Sequence, residues 1–230
     1  MSKIKKKIIA IGGGGFTHPS DESLDQFVLD QSKKINNKIG FLATASKDDK
    51  EKISSFYKRF GNIESELSHF NLTLNVDGFS EWILEKDIIY IGGGNTVFML
   101  EIWRKYKLEK IFKNAYEKGI ILSGVSAGAV CGFDWILSDS VGPGFNPLRG
   151  INLISGSCTP HSSNIKRINQ FESDIKDSKL PDGIAIDDGV AVVFIDGKPT
   201  EVYSARNNHE AYFLDKNNKI NLKDYIKNYE

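Results

Sequence analysis

The chain has little of what marks a secreted, membrane-spanning or nucleic-acid-binding protein. Its 230 residues include two cysteines, too few for a disulfide framework or a four-cysteine metal site. Thirty basic and thirty acidic residues cancel, so no net charge draws the chain to nucleic acid or to an anionic membrane. The apolar segment near the start, Ile8–Ile11, is far shorter than the ~20 residues of a membrane span. We therefore expect a cytoplasmic protein with no membrane or nucleic-acid partner.

Short apolar runs alternate with amphipathic stretches along most of the chain. Runs such as Lys6–Ile11 and Asp87–Ile91 end in glycine turns, and helix-like segments follow them. This alternation predicts an α/β fold, a mostly parallel sheet with helices on both faces. The length suits one domain covering residues 1–230.

Three segments depart from this alternation. Leu72–Val76 is predicted as a strand within an ambiguous stretch, and the Gly- and Pro-rich segment Ser138–Gly156 is predicted as a long surface loop. Gly183–Gly189 and Val190–Ile195 are predicted as two strands joined by an Asp-Gly turn. With a further turn at Asp196-Gly197, the C-terminal end of the chain is expected to be antiparallel.

One apolar run ends in a serine between two glycines. Ile120–Leu122 leads into Gly124-Val125-Ser126-Ala127-Gly128, and small residues follow. This G-x-S-x-G spacing is typical of a strand, a strained turn and a helix that together push the serine into a cleft. The amide of Ala127 would then face an oxyanion formed on the serine. The pattern predicts a nucleophile at Ser126; the alternative is a plain tight turn between strand and helix.

A serine hydroxyl needs a base to take its proton, and histidine is the usual one near neutral pH. The four histidines of the chain are His18, His69, His161 and His209. His161 follows a short apolar segment and precedes a helix, which predicts a place at the edge of the sheet where α/β proteins bind ligands. Asp134 and Asp139 both follow the elbow helix, and either could orient the imidazole or cap a turn.

The glycine runs and the cysteines do not indicate cofactor chemistry. Gly12–Gly15 lacks the third glycine of a dinucleotide-binding turn, since Thr17 or His18 falls at that place. Gly92–Gly94 lacks the Gly-Lys-Ser/Thr ending of a phosphate-binding loop. Both cysteines are expected to be small buried residues. We therefore expect no cofactor and no metal.

Five segments carry a family resemblance. They are, in chain order, Gly92-Gly93-Gly94-Asn95-Thr96, Ser126-Ala127-Gly128-Ala129, Ser138-Asp139-Ser140, Pro160-His161 and Gly183–Gly189. Together they resemble the serine peptidase family of aspartyl dipeptidase (peptidase E) and cyanophycinase, and the resemblance covers nearly the whole chain. It implies a flavodoxin-like three-layer sandwich similar to class I glutamine amidotransferases.

The resemblance also implies roles for residues. Ser126 corresponds to the nucleophile, His161 to the general base and Asp139 to the third member of the triad, with Asp134 as the alternative. The Gly93 and Ala127 amides correspond to the oxyanion hole.

Two further residues are implied to contact substrate. Asn95 lines the glycine turn, and Arg167 is the arginine close behind His161. The expected function is a dipeptidase E-like serine peptidase that hydrolyses a peptide or isopeptide bond in a short substrate, as a monomer or homodimer.

Two other functions compete with this one. An α/β-hydrolase-type esterase shares the elbow, but only thirty-five positions separate Ser126 from His161, too few for the elements that usually intervene. A non-catalytic small-molecule-binding module on the same scaffold would not need an intact serine, histidine and acid.

Overall fold

Two β-sheets form the framework of the computed structural model, which describes residues 4–61 and 65–228. The strands are β1 (Lys7–Ile11), β2 (Asn37–Leu42), β3 (Ser65–His69), β4 (Ile88–Ile91), β5 (Ile121–Val125), β6 (Phe133–Ser138), β7 (Asn146–Arg149), β8 (Ile154–Thr159), β9 (Gly183–Ile186), β10 (Val190–Ile195), β11 (Lys198–Ser204), β12 (Ala211–Leu214) and β13 (Lys219–Asn221).

Helices connect most of these strands. They are α1 (Glu22–Asp30), α2 (Lys50–Phe60), α3 (Phe79–Leu84), α4 (Thr96–Lys105), α5 (Glu109–Glu117), α6 (Ala127–Val130), α7 (Ile165–Lys176) and α8 (Leu222–Lys227), with 3-10 turns at Gly15–Thr17, Pro19–Asp21 and Thr44–Ser46. In the described ranges, no helix combines the length and the apolar character that crossing a membrane requires.

The larger sheet has seven strands in the order β11-β10-β1-β5-β4-β2-β3. From β1 to β3 every neighbouring pair is parallel, and β10 and β11 add antiparallel strands beside β1. This confirms the predicted α/β class with a mostly parallel sheet and antiparallel pairing near the C-terminus.

Both faces of the larger sheet are buried, because apolar side chains alternate along its strands. In β1, Ile9 and Ile11 pack with Leu24 of α1 and Phe56 of α2. Ile8 and Ala10 belong to the cluster on the other face, which includes side chains of α4, α5 and the second sheet. Strands buried on both sides are continuous apolar runs, so the central strands of this sheet could be predicted from the sequence.

The smaller sheet has six strands in the order β13-β12-β9-β8-β6-β7. Strands β6, β8 and β9 are parallel neighbours. One face of this sheet joins the core of the larger one, through residues such as Ile136 and Ile184. The other face, at Leu137 and Ala185, is covered by Ile168 and Phe171 of α7. The smaller sheet thus supports a second set of loops.

The segment Leu72–Val76 is not a strand. The edge strand is β3, and residues 72–74 form a turn in which the amides of Leu74 and Asn75 donate to the carbonyl of Asn71. Asp48 accepts from the amide of Thr73, and Leu74 is 81% exposed. Turn hydrogen bonds therefore outweighed the β-propensity of this segment.

The segment Ser138–Gly156 is not one long loop. It contains β7, which pairs antiparallel with β6, and the start of β8. Strand β7 lies at the edge of its sheet, where Pro147 can lack an N–H without breaking the ladder. The prediction of a loop rests on the Gly-, Pro-, Asn- and Ser-rich composition of this segment, which does not exclude a short edge strand.

The Asp-Gly turn does not close a hairpin. Strand β9 belongs to the smaller sheet and β10 to the larger one, so Asp187–Gly189 crosses between the sheets. The amide of Gly189 donates to the carbonyl of Gly13, at the end of β1. This crossing decides the composition of the site described next.

Candidate active site

Ser126 lies on the turn between β5 and α6. Its backbone has φ 55° and ψ −113°, a conformation that is strained for a residue with a side chain. The Ser126 amide donates to the carbonyl of Ile11, and its carbonyl accepts from the amides of Ala129 and Val130. These bonds hold the strained turn, so the predicted elbow has the local structure that its pattern requires.

The two glycines of the elbow allow the backbone to pack closely. A Cβ on Gly124 would collide with the carbonyl of Gly128, and one on Gly128 would collide with the carbonyl of Ile91 at the end of β4. Helix α6 therefore sits directly on the carboxyl ends of β4 and β5.

His161 contacts the serine. The Ser126 hydroxyl donates to Nε2 of His161 at 2.8 Å. His161 follows β8 and has φ 52°. The imidazole is 36% exposed, so a substrate in the cleft could reach it.

The carboxylate that contacts His161 is Asp188. Nδ1 of the imidazole donates to Oδ1 of Asp188, which follows β9. This hydrogen bond lowers the pKa of Asp188, against the raising effect of burial. Because β8 and β9 are parallel neighbours, the residues that follow them meet at one edge of the smaller sheet. Serine, imidazole and carboxylate form a continuous series of hydrogen bonds, in which the imidazole can take the serine proton and the carboxylate orients the imidazole.

Asp139 and Asp134, predicted as the orienting acid, contact other groups. Asp139 Oδ2 accepts from Nη2 of Arg167 at 2.7 Å, and Asp134 accepts from Nη1 of Arg149. The structure thus places Asp188, and neither of the predicted aspartates, against His161. The signal for Asp188 was present, because it lies in a segment that carries the family resemblance and follows a buried strand. Reading Asp-Gly as a hairpin turn concealed it.

Neighbouring residues tie the histidine and acid segments together. Ser162 Oγ donates to the buried carboxylate of Asp187 at 2.6 Å, and the Ser162 amide donates to the carbonyl of Ile186 at 3.1 Å. The amide of Glu210 donates to the other oxygen of Asp187. The backbones next to His161 and Asp188 are therefore held side by side.

Two amides near the serine have no acceptor within the described part of the chain: those of Gly93 and Ala127. Ala127 is the first residue of α6, so the Ala127 amide has no acceptor within that helix. The Cα of Gly93 lies so close to the serine that a Cβ there would stand 3.1 Å from Ser126 Cβ. The carbonyl of Gly93 accepts from Lys52 Nζ at 3.1 Å. Both predicted oxyanion donors therefore border Ser126.

The substrate-contacting predictions have different surroundings. The Asn95 side chain caps α4 by accepting from the amide of Phe98 at 2.8 Å. The Arg167 side chain is 5% exposed, and its guanidinium lies 4.5 Å from the ring centre of Phe145. Among the residues that the structure describes, its Nε has no hydrogen-bond partner. Burial lowers the pKa of Arg167, against the raising effect of Asp139.

A small cavity opens beside the serine. Its volume is about 150 Å³, and its lining includes Ser126, Ala127, Asp139, His161 and Arg167. The cavity thus brings four of the residues predicted from the motifs together with the arginine implied to bind substrate.

Other candidate groups lie elsewhere. His18 contacts Ser20, and His69 contacts Tyr57 at 2.8 Å. The part of the chain that the structure describes contains no cluster of three or more His, Cys, Asp or Glu side chains able to hold a metal. Burial raises the pKa of Cys131 to about 12 and raises that of Cys158 as well, so neither thiol is suited to nucleophilic attack.

Comparison with known proteins identifies the family of the chain. Residues 8–202 match the profile of Peptidase family S51. The chain is 38% identical over 210 residues to the uncharacterized peptidase YgaJ of Bacillus subtilis (strain 168). The match covers 90% of this chain and 91% of the relative.

Two solved structures share the fold. A peptidase from an acI-B1 Actinobacterium superposes with a TM-score of 0.73 at 14% identity, over 96% of this chain and 95% of that one. A protein from Listeria monocytogenes EGD-e, described as a putative peptidase E protein, superposes with a TM-score of 0.66 at 16% identity, over 87% of this chain and 98% of that one.

Proposed function

Because the chain belongs to peptidase family S51 and is a serine peptidase of the dipeptidase E type, we propose that Ser126, His161 and Asp188 are its catalytic triad. The observation that carries this proposal is the hydrogen-bonded series from Ser126 Oγ through both nitrogens of His161 to Asp188. The same contact argues against a decayed, purely binding site, and the family match sets aside the esterase alternative.

The reaction begins with attack of Ser126 Oγ on the substrate carbonyl. Nε2 of His161 takes the hydroxyl proton and then gives it to the leaving amine, which frees the first product. Water enters next, and the imidazole removes its proton as the water oxygen attacks the carbonyl carbon of the acyl-serine. The bond between that carbon and Ser126 Oγ then breaks, Oγ takes the proton back from His161, and the second product leaves as a carboxylic acid. Asp188 keeps the imidazole in the tautomer that presents a bare Nε2 to the serine, and it stabilises the imidazolium that forms.

The Ala127 and Gly93 amides would stabilise the oxyanion of the tetrahedral intermediate. Both border Ser126 and donate no hydrogen bond to a described residue. Removal of one such donor typically lowers kcat by about 10²–10³-fold.

The cavity favours short substrates. It is small, at about 150 Å³, and it contains the charged pair Asp139–Arg167 beside the serine. The Asp139 side chain is 62% exposed, and no described residue donates to its Oδ1. We infer that this pair binds a charged group at the end of a short peptide. Asn95, at the exposed end of the glycine turn, remains a candidate contact for a longer one.

A cytoplasmic location is the remaining part of the proposal. Its support is the two buried cysteines, both free thiols, which suit a reducing compartment. We propose action as a monomer or a homodimer, without a cofactor.

A fluorophosphonate probe tests the nucleophile. The native protein should be labelled at Ser126, and Ser126→Ala should not be. Ser55→Ala removes an exposed serine of α2 outside the cavity and serves as the matched control, which should be labelled like the native protein. Labelling of Ser126→Ala at the native rate would remove Ser126 from its role.

A panel of dipeptides and isoaspartyl peptides tests the substrate class. Release of a free amine from some members, lost in Ser126→Ala, is expected. Hydrolysis of nitrophenyl esters with no cleavage of any peptide would contradict a peptidase reaction.

A further inference from the structure

The four-glycine turn after β1 has no role in the reaction described above, yet it lies against the triad. Gly13 forms a bridge with Asp188, and its carbonyl accepts from the amide of Gly189 at 2.8 Å. A Cβ on Gly13 would collide with Oδ1 of Asp188 and would stand 2.7 Å from Nδ1 of His161. The turn therefore forms a wall behind the hydrogen bond between imidazole and carboxylate.

A buried carboxylate lies behind this turn. Asp21 is fully buried, and its Oδ2 accepts from the amide of Gly15 at 3.2 Å. Arg206 donates to both oxygens, from Nε to Oδ1 at 3.1 Å and from Nη2 to Oδ2 at 2.7 Å. This two-point contact fixes the plane of the guanidinium as well as its position.

The same arginine lies over the segment that carries the triad acid. A Cβ on Gly189 would stand 2.6 Å from both Cγ and Cδ of Arg206, so the arginine stem packs flat against this glycine. The amide of Ala205 donates to the carbonyl of Gly189 at 2.9 Å. After the hydrogen bond from His161, the charge of Arg206 also helps to lower the pKa of Asp188.

We propose that the Asp21–Arg206 ion pair positions Asp188, by clamping the Asp188-Gly189 segment against the four-glycine turn. Arg206 lies beyond residues 8–202, the part of the chain that matches the family profile. The inference rests on the proposed function, because it gives Asp188 a catalytic contact to protect. Both members are positioning residues, since neither contacts Ser126 or His161.

The clamp should matter because the triad tolerates little displacement. A shift of about 1 Å in a catalytic group can lower a rate by ~10²-fold. Asp188 lies between β9 and β10, which belong to different sheets. Its position therefore depends on contacts that link the two sheets. Arg206 provides such a contact, because it links Gly189 to Asp21 on the other side of the glycine turn.

The first test compares Arg206→Met with Arg59→Met. Arg59 forms an ion pair with Asp25, which is also buried, but it does not touch the triad, so its loss reproduces the effect on stability alone. With a fluorophosphonate probe, Arg206→Met should be labelled about 10- to 100-fold more slowly than the native protein. Arg206→Lys keeps the charge but not the two-point contact, so its labelling rate should lie between those of Arg206→Met and the native protein. Arg59→Met should stay within about threefold of native.

A proton NMR spectrum gives a readout that does not depend on reactivity. The Nδ1 proton of His161, bonded to Asp188, should resonate far downfield in the native protein and in Arg59→Met. It should shift upfield or broaden in Arg206→Met at a temperature where that variant is folded. A native labelling rate together with an unchanged resonance in folded Arg206→Met would overturn the proposal.

A double-mutant cycle shows whether Arg206 acts through Asp188. Once Asp188→Asn has removed the carboxylate, Arg206→Met should slow labelling no further, whereas a merely structural effect would lower the rate in both backgrounds. If Arg206→Met does not fold, Asp21→Asn/Arg206→Met leaves no buried charge unpaired and should show the same loss.

The two proposals fail differently. If the native protein is not labelled at Ser126, the proposed function fails, and the resonance of His161 still tests the clamp. If the native protein is labelled, and folded Arg206→Met gives both the native labelling rate and the native resonance, the clamp alone fails.

Discussion

Two aspartates flank the histidine and do different things. Asp188 follows β9 and Asp139 follows β6, the two parallel neighbours of β8, which carries His161 at its end. Asp188 accepts from the imidazole, whereas Asp139 accepts from Arg167. The two carboxylates lie at the same edge of one sheet, so what distinguishes their roles is the side chain that each one contacts.

The partners also differ in burial. The Asp139 side chain is 62% exposed and its arginine is 5% exposed, so the carboxylate faces the cavity while the cation is enclosed. Asp188 is 35% exposed, and its neighbour is the imidazole of His161, which in the proposed reaction takes up the serine proton. One aspartate can meet a ligand, and the other can stabilise a transient cation.

The largest expected effect separates these two aspartates directly. Asp188→Asn should lower kcat by about 10⁴-fold, because an asparagine no longer favours the required tautomer of His161. Asp139→Asn, which leaves that contact intact, should lower kcat by less than about tenfold. Steady-state kinetics on any peptide cleaved in the panel measures both. A larger loss of kcat in Asp139→Asn than in Asp188→Asn would reverse the assignment.

The next effect concerns binding on the Asp139 side. Hydrogen bonds to charged groups contribute about 1.5–3 kcal/mol, so Arg167→Met should raise KM by about 10- to 100-fold with a smaller change in kcat. Arg149→Met removes the arginine paired with Asp134, outside the cavity lining, and is the matched control. Equal KM values in Arg167→Met and the native protein would show that Arg167 does not contribute to substrate binding.

The part of the site that local motifs form could be predicted from the sequence, whereas the part that depends on the order of strands in the sheets could not. Ser126 and the Gly93 turn are local patterns, because a strand, a tight turn and a helix are encoded within about ten residues. The pairing of His161 with Asp188 depends on β8 and β9 lying side by side in a second sheet. The buried strand before Asp188 is a signal for a site residue, but it does not specify this pairing, since Asp-Gly is equally typical of a hairpin.

The strands of the fold also differ in how well the sequence predicts them. Continuous apolar runs located the central strands of the larger sheet, because burial on both faces demands them. The edge strands β3 and β7 are polar or contain proline, so periodicity did not find them. In the smaller sheet, β9 is predicted as a strand, but the sheet as a whole is not predicted because most of its strands resemble loops when each is considered alone.

A smaller effect is expected on the oxyanion side of the serine. Lys52 Nζ holds the carbonyl of Gly93, so Lys52→Met should loosen the glycine turn without removing an oxyanion donor. We expect kcat to fall by about 3- to 10-fold, well below the ~10²-fold that loss of a donor costs. Lys50→Met, at the exposed start of the same helix, should leave kcat unchanged. Equal kcat values in both variants would remove Lys52 from this role.

Another aspartate–arginine pair, Asp25 with Arg59, calibrates the comparison, because it lies away from the triad. Asp25 is 2% exposed, accepts from Nη1 of Arg59 at 3.0 Å and from the Tyr90 hydroxyl at 3.3 Å. Burial raises its pKa to about 7, against the lowering effect of Arg59. Asp25 should therefore influence stability and leave the rate of labelling unaltered.

The sign of that influence follows from proton binding. Between pH 4 and pH 7, roughly the interval separating an unfolded aspartate from this folded one, the folded chain holds a proton that the unfolded chain has released. Stability should then fall as pH rises through this interval, by up to about 4 kcal/mol, and should stay low above it. Asp25→Asn carries no titrating group there, so its free energy of unfolding relative to the native protein should be higher at pH 8 than at pH 5. Urea unfolding of both proteins at the two pH values measures the difference. A relative stability that is the same at pH 5 and pH 8 would mean that Asp25 is ionised in the folded protein throughout, held by Arg59 as Asp188 is held by His161.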